Sequence, residues 1–313
     1  MVDPLAEQAV DALQAVTGAH PGMRAAHAKG TLCAATFTPS PEASSLSRAA
    51  HFAGGPVRAH VRFSNGSGDP TAPDYAARDG RGLAAKFYLD GGATTDIVAV
   101  TLPAFFVRTP EDFLAFARAR RPDPTTGEPD MDAIGAFLAD HPEAMTAAMA
   151  VVSALPPESY LRCAYNALHA FRFVDAGGGS RFIRYRFEPD AGEATLTADD
   201  AETRGADYLQ HDLAARLADR PATFTLTAQI GTDEDPHDDP TAVWPDDRTR
   251  VTLGRLDVGG LAYDREQAGD VLVFDPTRVT DGIELSDDPI LAFRSKAYGV
   301  SVARRTRIDH AET

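Results

Sequence analysis

The densest group of chemistry-bearing residues lies near the C-terminal end of the 313-residue chain. Asp288 and Pro289 supply an N-cap and a proline at the first helical position, and ILAFRSKAYGVSVARR continues in helical register behind them. Spacing of four sets Arg294 and Tyr298 one above the other, with Val302 a further turn on and Arg305 seven residues beyond Tyr298. A guanidinium next to a phenol favours the anion of a group that otherwise titrates near 10. Taken alone, such a pair is an ordinary helix-surface contact. Gly299 costs the same helix roughly 1 kcal/mol against alanine, which predicts the close approach of something bulky.

Histidine is the other candidate type, because a neutral imidazole can take a proton and hand it back near neutral pH. His27 stands in GMRAAHAKG, whereas His60 and His169 read as ordinary packed or surface histidines. Two further groups are set aside. Asp233, Glu234, Asp235, His237, Asp238 and Asp239 lack EF-hand or zincin spacing and read as a solvated loop. GGGS at 177–180 lacks the lysine and the spacing of a phosphate-cradling loop and reads as a hairpin turn.

The elements that must position these residues are mixed. In PVRAHVRFS (56–64), Val57, Ala59, Val61 and Phe63 fall on one face of a strand and Arg58, His60, Arg62 and Ser64 on the other. Strands are also expected at 81–89, 168–174, 181–187 and 222–230, with RVTLGRLDV strand-like after an irregular surface excursion at 231–247. Helical spacing marks the N-terminal MVDPLAEQAVDALQAV, EDFLAFARAR, the long run DMDAIGAFLADHPEAMTAAMAVVSAL, and ADYLQHDLAARLA. Helices inserted among antiparallel strands make an α+β fold, and no repeat or low-complexity linker divides the chain, so one domain over 1–313 is expected.

Composition narrows the partners. A formal charge of -16 repels phosphate backbones and anionic lipid, so nucleic acid is excluded as a partner. Two cysteines are too few for a disulfide framework, and the acidic N-terminus does not read as a secretory signal; a cytoplasmic protein is expected. No apolar run approaches the ~18 residues of a membrane span.

Five ordered segments then carry a resemblance: GMRAAHAKG, VRFSNGSGDP, RDGRGLAAKFY, TDIVAVTLPAFFVRTPEDF and FDPTRVTDGIELSDDPILAFRSKAY. Together they resemble the signature segments of haem catalases, in the family's order and across most of 20–307. The resemblance implies a catalase-like antiparallel β-barrel flanked by helices, carrying haem b, in the small peroxidase-leaning branch without the N-terminal arm and C-terminal domain of large catalases. It implies Tyr298 as the iron ligand, a ligation the general chemistry of haem proteins already assigns to catalases. It further implies His27 as the distal acid/base, Ser64 as the residue orienting it, Arg24, Arg62 and Arg305 as propionate anchors, Phe113 packed on the porphyrin and Phe106 nearer the distal pocket. Arg294 is expected to support the phenolate.

Two departures from the family pattern stand out. Thr101 falls where large catalases carry an asparagine over the haem, and Ala26 replaces a valine before the histidine. A threonine hydroxyl has a shorter reach than an amide, so a better peroxidase than catalase is expected, with Thr101 as one cause. The expected substrates are hydrogen peroxide and small organic reductants, the expected assembly a homodimer. Rival readings are a fatty-acid hydroperoxide lyase or isomerase of the allene oxide synthase type, against which Ala26 argues, and a non-catalytic haem-binding protein, which has no use for an oriented distal base.

Overall fold

The computed structural model describes residues 3–76, 79–263 and 271–306; Arg78, inside one of the family-like segments, lies outside them. Among the described residues ten strands follow one another: β1 (Gly30–Pro39), β2 (Val57–Asn65), β3 (Arg81–Tyr88), β4 (Thr94–Val100), β5 (Tyr165–Asn166), β6 (Phe171–Val174), β7 (Ser180–Pro189), β8 (Ala222–Ile230), β9 (Arg250–Leu261) and β10 (Ile283–Leu285). Their order is β10-β6-β7-β5-β4-β3-β2-β1-β9-β8, and the extra β7–β8 pairing closes eight of them into an antiparallel barrel. The expected barrel is therefore present, with β6 and β10 attached outside the ring.

Alternation along the strands decides what fills the barrel. Val61 and Phe63 of β2, Leu83 and Ala85 of β3 and Phe224 and Leu226 of β8 are buried inward, where they join Phe37, Phe87, Tyr165 and Phe187. An eight-stranded barrel has an interior just wide enough for side chains, and here aromatics occupy it. Any cofactor site must lie on the outer wall, on the face that carries Arg62 and Ser64.

The described helices are α1 (Pro4–Thr17), α2 (Ala43–Leu46), α3 (Pro110–Ala119), α4 (Met131–Asp140), α5 (Met145–Ser153), α6 (Ala198–Thr203), α7 (Tyr208–Asp219) and α8 (Pro289–Thr306); α2, α6 and α7 pack into the barrel core, whereas α1, α3, α4 and α8 form apolar clusters of their own. The long run expected at 130–155 is split into α4 and α5, because Pro142 cannot continue a helix and opens a short 3-10 turn instead. Helix α8 is tied to α1 by Phe293 and Val300 packing on Ala6, Ala9 and Val10, and by Lys296–Asp3 and Arg304–Asp11 ion pairs of 3.0 and 2.7 Å. The 168–174 strand begins only at Phe171. The 231–247 stretch is irregular as expected but not simply a surface excursion: Trp244 and Asp235 are buried, with Arg184 over the indole and Arg248 on the carboxylate.

Candidate active site

His27 sits on the loop between α1 and β1 and is, among the described residues, the one non-glycine with positive φ, at 55°. That conformation is strained for a side chain and has to be held by its surroundings. The backbone does this directly. The His27 N–H donates to Gly66 O at 3.1 Å, Ala28 N–H to Ser67 O at 3.0 Å, and Arg62 Nη1 and Nη2 donate to the His27 and Ala28 carbonyls at 2.9 and 3.0 Å. The imidazole Nδ1 then meets Ser64 Oγ at 2.9 Å. Gly82, paired with Ser64 across β2 and β3, makes room for this contact: a Cβ there would lie 2.7 Å from Ser64 Oγ and 2.9 Å from His27 Nδ1. Gly82 carries no chemistry of its own and was not singled out by sequence.

The electrostatics fix the protonation of His27. Burial in the wall of the crevice, followed by the positive fields of Arg62, Arg294, Arg24 and Arg81, pushes its pKa down to about 3. It is neutral at physiological pH, as a proton acceptor must be.

A second group of residues converges on Tyr298. Arg294 Nε and Nη2 donate to the phenol oxygen at 2.9 and 2.5 Å, and Nη1 lies 3.0 Å from His169 Nε2. Since an arginine N–H can only donate, His169 Nε2 accepts, so its hydrogen is on Nδ1 and points to Asp288 Oδ2 at 2.6 Å. Burial holds His169 below its ordinary pKa even though Asp288 pulls the other way, consistent with a neutral ring. Asp288 Oδ1 simultaneously accepts from the Ile290 and Leu291 N–H groups at 2.8 and 3.2 Å, the N-cap expected from sequence. One carboxylate thus starts helix α8 and orients a chain ending on the phenol. His169 is therefore not the ordinary histidine expected from sequence; its part in this chain depends on a contact 125 residues away in sequence.

The remaining expected residues are distributed as follows. Phe113 packs between Phe106 and Phe293, with ring centroids 5.9 and 6.4 Å away. Phe106 lies 4.2 Å from Phe105, itself near His169 at 6.1 Å, so this aromatic group adjoins the tyrosine side. Arg24 Nη2 donates to Leu272 O at 3.0 Å, and Arg305 lies in the last turn of α8. Arg62, expected on a propionate, uses Nη1 and Nη2 to hold the His27 loop. Thr101 differs most from expectation: its Oγ1 accepts the Arg81 backbone N–H at 3.0 Å while its own N–H donates to Arg81 O at 2.9 Å. Close approach at Gly299 is not made by the rest of the described chain: beyond its neighbours and its own helix backbone, nothing lies within 4 Å of where its Cβ would be.

The two halves are neighbours. Arg294, bonded to Tyr298, is near enough to His27 for its charge to depress imidazole protonation, and Ala25 N–H reaches Ser301 Oγ of α8 at 3.3 Å.

Comparison with known proteins fits this arrangement. The catalase family profile matches residues 8–312. The chain belongs to the catalase family. A catalase-related peroxidase of Mycolicibacterium paratuberculosis is 44% identical over 97% of this chain and 95% of its own length, and one from Synechococcus elongatus 35% identical over 96% and 88%. A solved fungal catalase superposes with a TM-score of 0.81 at 26% identity, over 91% of this chain and 60% of that one. Within the family, this chain is of the catalase-related peroxidase branch.

The family implies haem, and the donor set fits it. Tyr298 offers an oxygen ligand whose anionic form two guanidinium N–H groups would stabilise. Half-exposed Val100, Phe105, Phe106 and Phe113 provide apolar surface for a flat macrocycle, and Arg24 and Arg305 provide cations for its carboxylates. Among the described residues no helix is long and apolar enough to cross a membrane.

Proposed function

We propose that this protein is a haem peroxidase that reduces hydrogen peroxide, with Tyr298 as the iron ligand, His27 as the proton carrier and Ser64 as its orienting partner. The observation that carries the reading is the pairing of a Tyr298–Arg294–His169–Asp288 chain with a separate His27–Ser64 pair facing it. When bound, haem supplies the iron that meets peroxide and holds the oxidising equivalents. His27 does the proton work: with the hydrogen on Nδ1 donated to Ser64 Oγ, Nε2 has its lone pair free to take a proton from one peroxide oxygen and pass it to the departing one. Two electrons and a further proton pair from small organic reductants complete the reduction to two waters.

Arg24 and Arg305 hold the propionates in this reading, Phe113 packs on the macrocycle with Phe106 behind it, and Arg62 fixes the loop that presents His27. Haem b, a homodimer and a cytoplasmic setting complete it. Absorption spectroscopy tests the proposal directly. The haem-supplied protein should show a Soret band that responds to hydrogen peroxide and returns when a dye reductant is added, with the dye oxidised in proportion. A protein that takes up no haem, or whose band ignores peroxide, is not this enzyme.

A further inference from the structure

The sheet register places a residue beside His27 that the sequence comparison with large catalases passed over. Ser64 pairs with Gly82, Gly82 with Val100, and Val100 with Asn166, and residues directly opposite across antiparallel strands share a face. Ser64 on that row holds the imidazole, and Gly82 next to it has no side chain, so Val100 is the next side chain along the wall from His27. Thr101 is one residue further and alternates to the other side, where its hydroxyl caps the Arg81 N–H. The other polar group on the row is engaged as well: Asn166 Nδ2 donates to Leu102 O at 3.1 Å and its Oδ1 accepts from Arg186 at 3.4 Å.

We infer that Val100 determines specificity at this site: it presents hydrocarbon beside His27 where a second hydrogen bond to peroxide would be made, which favours organic hydroperoxides and disfavours disproportionation. The inference rests on the peroxidase reading above. With an organic hydroperoxide the O–O bond breaks, the proton that His27 takes from the terminal oxygen goes to the departing oxygen, and an alcohol leaves; two electrons and two protons from the reductant carry the remaining oxygen off as water. The apolar group on that second oxygen needs a dry wall, which Val100 provides. Disproportionation instead requires a second hydrogen peroxide to give up two hydrogens and leave as oxygen, and a molecule held only by His27 is poorly oriented for that.

Fluoride titration of the haem-loaded protein, followed by its spectrum, reads hydrogen-bond donors beside His27 without any turnover. Val100→Asn should tighten fluoride about tenfold, the equivalent of one added hydrogen bond, and raise oxygen evolution relative to dye oxidation. Val100→Thr, which keeps the volume if asparagine does not fold, should move both in the same direction by less. Thr101→Val should leave fluoride affinity at the wild-type value yet lower the melting temperature of the apoprotein, because it removes the acceptor of the Arg81 N–H. Wild type should also consume cumene hydroperoxide at least as readily as hydrogen peroxide, with Val100→Asn reversing that order. Weaker fluoride binding in Thr101→Val, or unchanged fluoride affinity in both folded Val100 variants with intact Soret bands, would overturn the assignment. A wild type without a Soret band would overturn the peroxidase reading itself before any variant is made.

Discussion

The two sides of the site are built on opposite plans. The tyrosine side is a continuous chain of side-chain hydrogen bonds anchored in the cap of α8: Asp288, His169, Arg294 and Tyr298, with the carboxylate and imidazole buried. On the histidine side the imidazole has, among the described residues, one side-chain hydrogen bond, to Ser64, on a strained loop held otherwise by backbone carbonyls, the Arg62 guanidinium and Ser301 Oγ. The difference suits the proposed roles: an iron ligand is served by fixed donors, and a proton carrier by one committed nitrogen with the other open to substrate.

Breaking the tyrosine side should have the largest effect. Tyr298→Ala removes the oxygen to which Arg294 Nε and Nη2 donate, and should abolish or severely reduce haem retention. The haem-to-protein ratio measures this, with exposed Tyr263→Ala as the control; Tyr165 would be a poor one, since it is fully buried in the barrel with its hydroxyl on Tyr160 O. An unchanged ratio in Tyr298→Ala would remove the ligand assignment.

Breaking the other side should leave haem in place and cost rate. His27→Ala should slow the peroxide response of the Soret band by roughly two to four orders of magnitude, the range for losing a positioned acid/base. The pH dependence sharpens the point. An ordinary imidazole, titrating near 6.5, would lose its free base through mild acid, whereas burial and the surrounding arginines keep His27 neutral down to about 3. The wild-type stopped-flow rate should therefore stay flat from pH 7 to about 4. Stability has the opposite slope: the unfolded imidazole binds its proton near 6.5 and the folded one only near 3, so acid favours the unfolded chain across that window. A rate that halves near pH 6.5 while the fold is intact would contradict a depressed His27 as the group that moves the proton.

A smaller effect is expected inside the tyrosine-side chain. His169→Phe leaves Arg294 Nη1 without its acceptor and Asp288 Oδ2 without its donor in a buried place, which should cost about 1 to 3 kcal/mol for each group that finds no water. Urea unfolding of the apoprotein reads the loss, and a shifted Soret band in the haem-bound variant reads its transmission to Tyr298. Native stability with an unshifted band would show that the chain does not act as a unit.

Which of these features the sequence displayed depends on how far apart the partners lie. Arg294 and Tyr298 are one helical turn apart, and the helix start is spelled out by Asp288 and Pro289, so periodicity alone brought them together. The alternation of β2 put Ser64 and Arg62 on one face for the same reason. His169 had no local signature, because its partners come from a helix more than a hundred residues on. Strands β1 and β4 were not read from periodicity either: Cys33, Ala35 and Phe37 are buried in a run of small and polar residues, and β4 ends in the segment where one step of register decides between Val100 and Thr101. Alignment by segment gives the neighbourhood of a residue; only pairing gives its face.

The smallest effect should come from the one contact that distinguishes an oriented His27 from a loose one. Ser64→Ala removes the hydroxyl 2.9 Å from Nδ1 but leaves the Gly66, Ser67 and Arg62 contacts that hold the loop, so the imidazole stays in place and loses its preferred tautomer and ring angle. A single neutral hydrogen bond is worth about 0.5 to 1.5 kcal/mol, which converts to roughly 2- to 13-fold in the rate of the peroxide response. Gly82 provides the check on geometry as against polarity. A Cβ there intrudes on both Ser64 Oγ and His27 Nδ1, so Gly82→Ala should slow the reaction at least as much as Ser64→Ala, with the hydroxyl still present. Stopped-flow rates on the two variants and the double variant decide it. If the losses multiply, the two residues act independently; the structure requires that they do not, because both act by disturbing the same nitrogen, so the double variant should fall close to the slower single one.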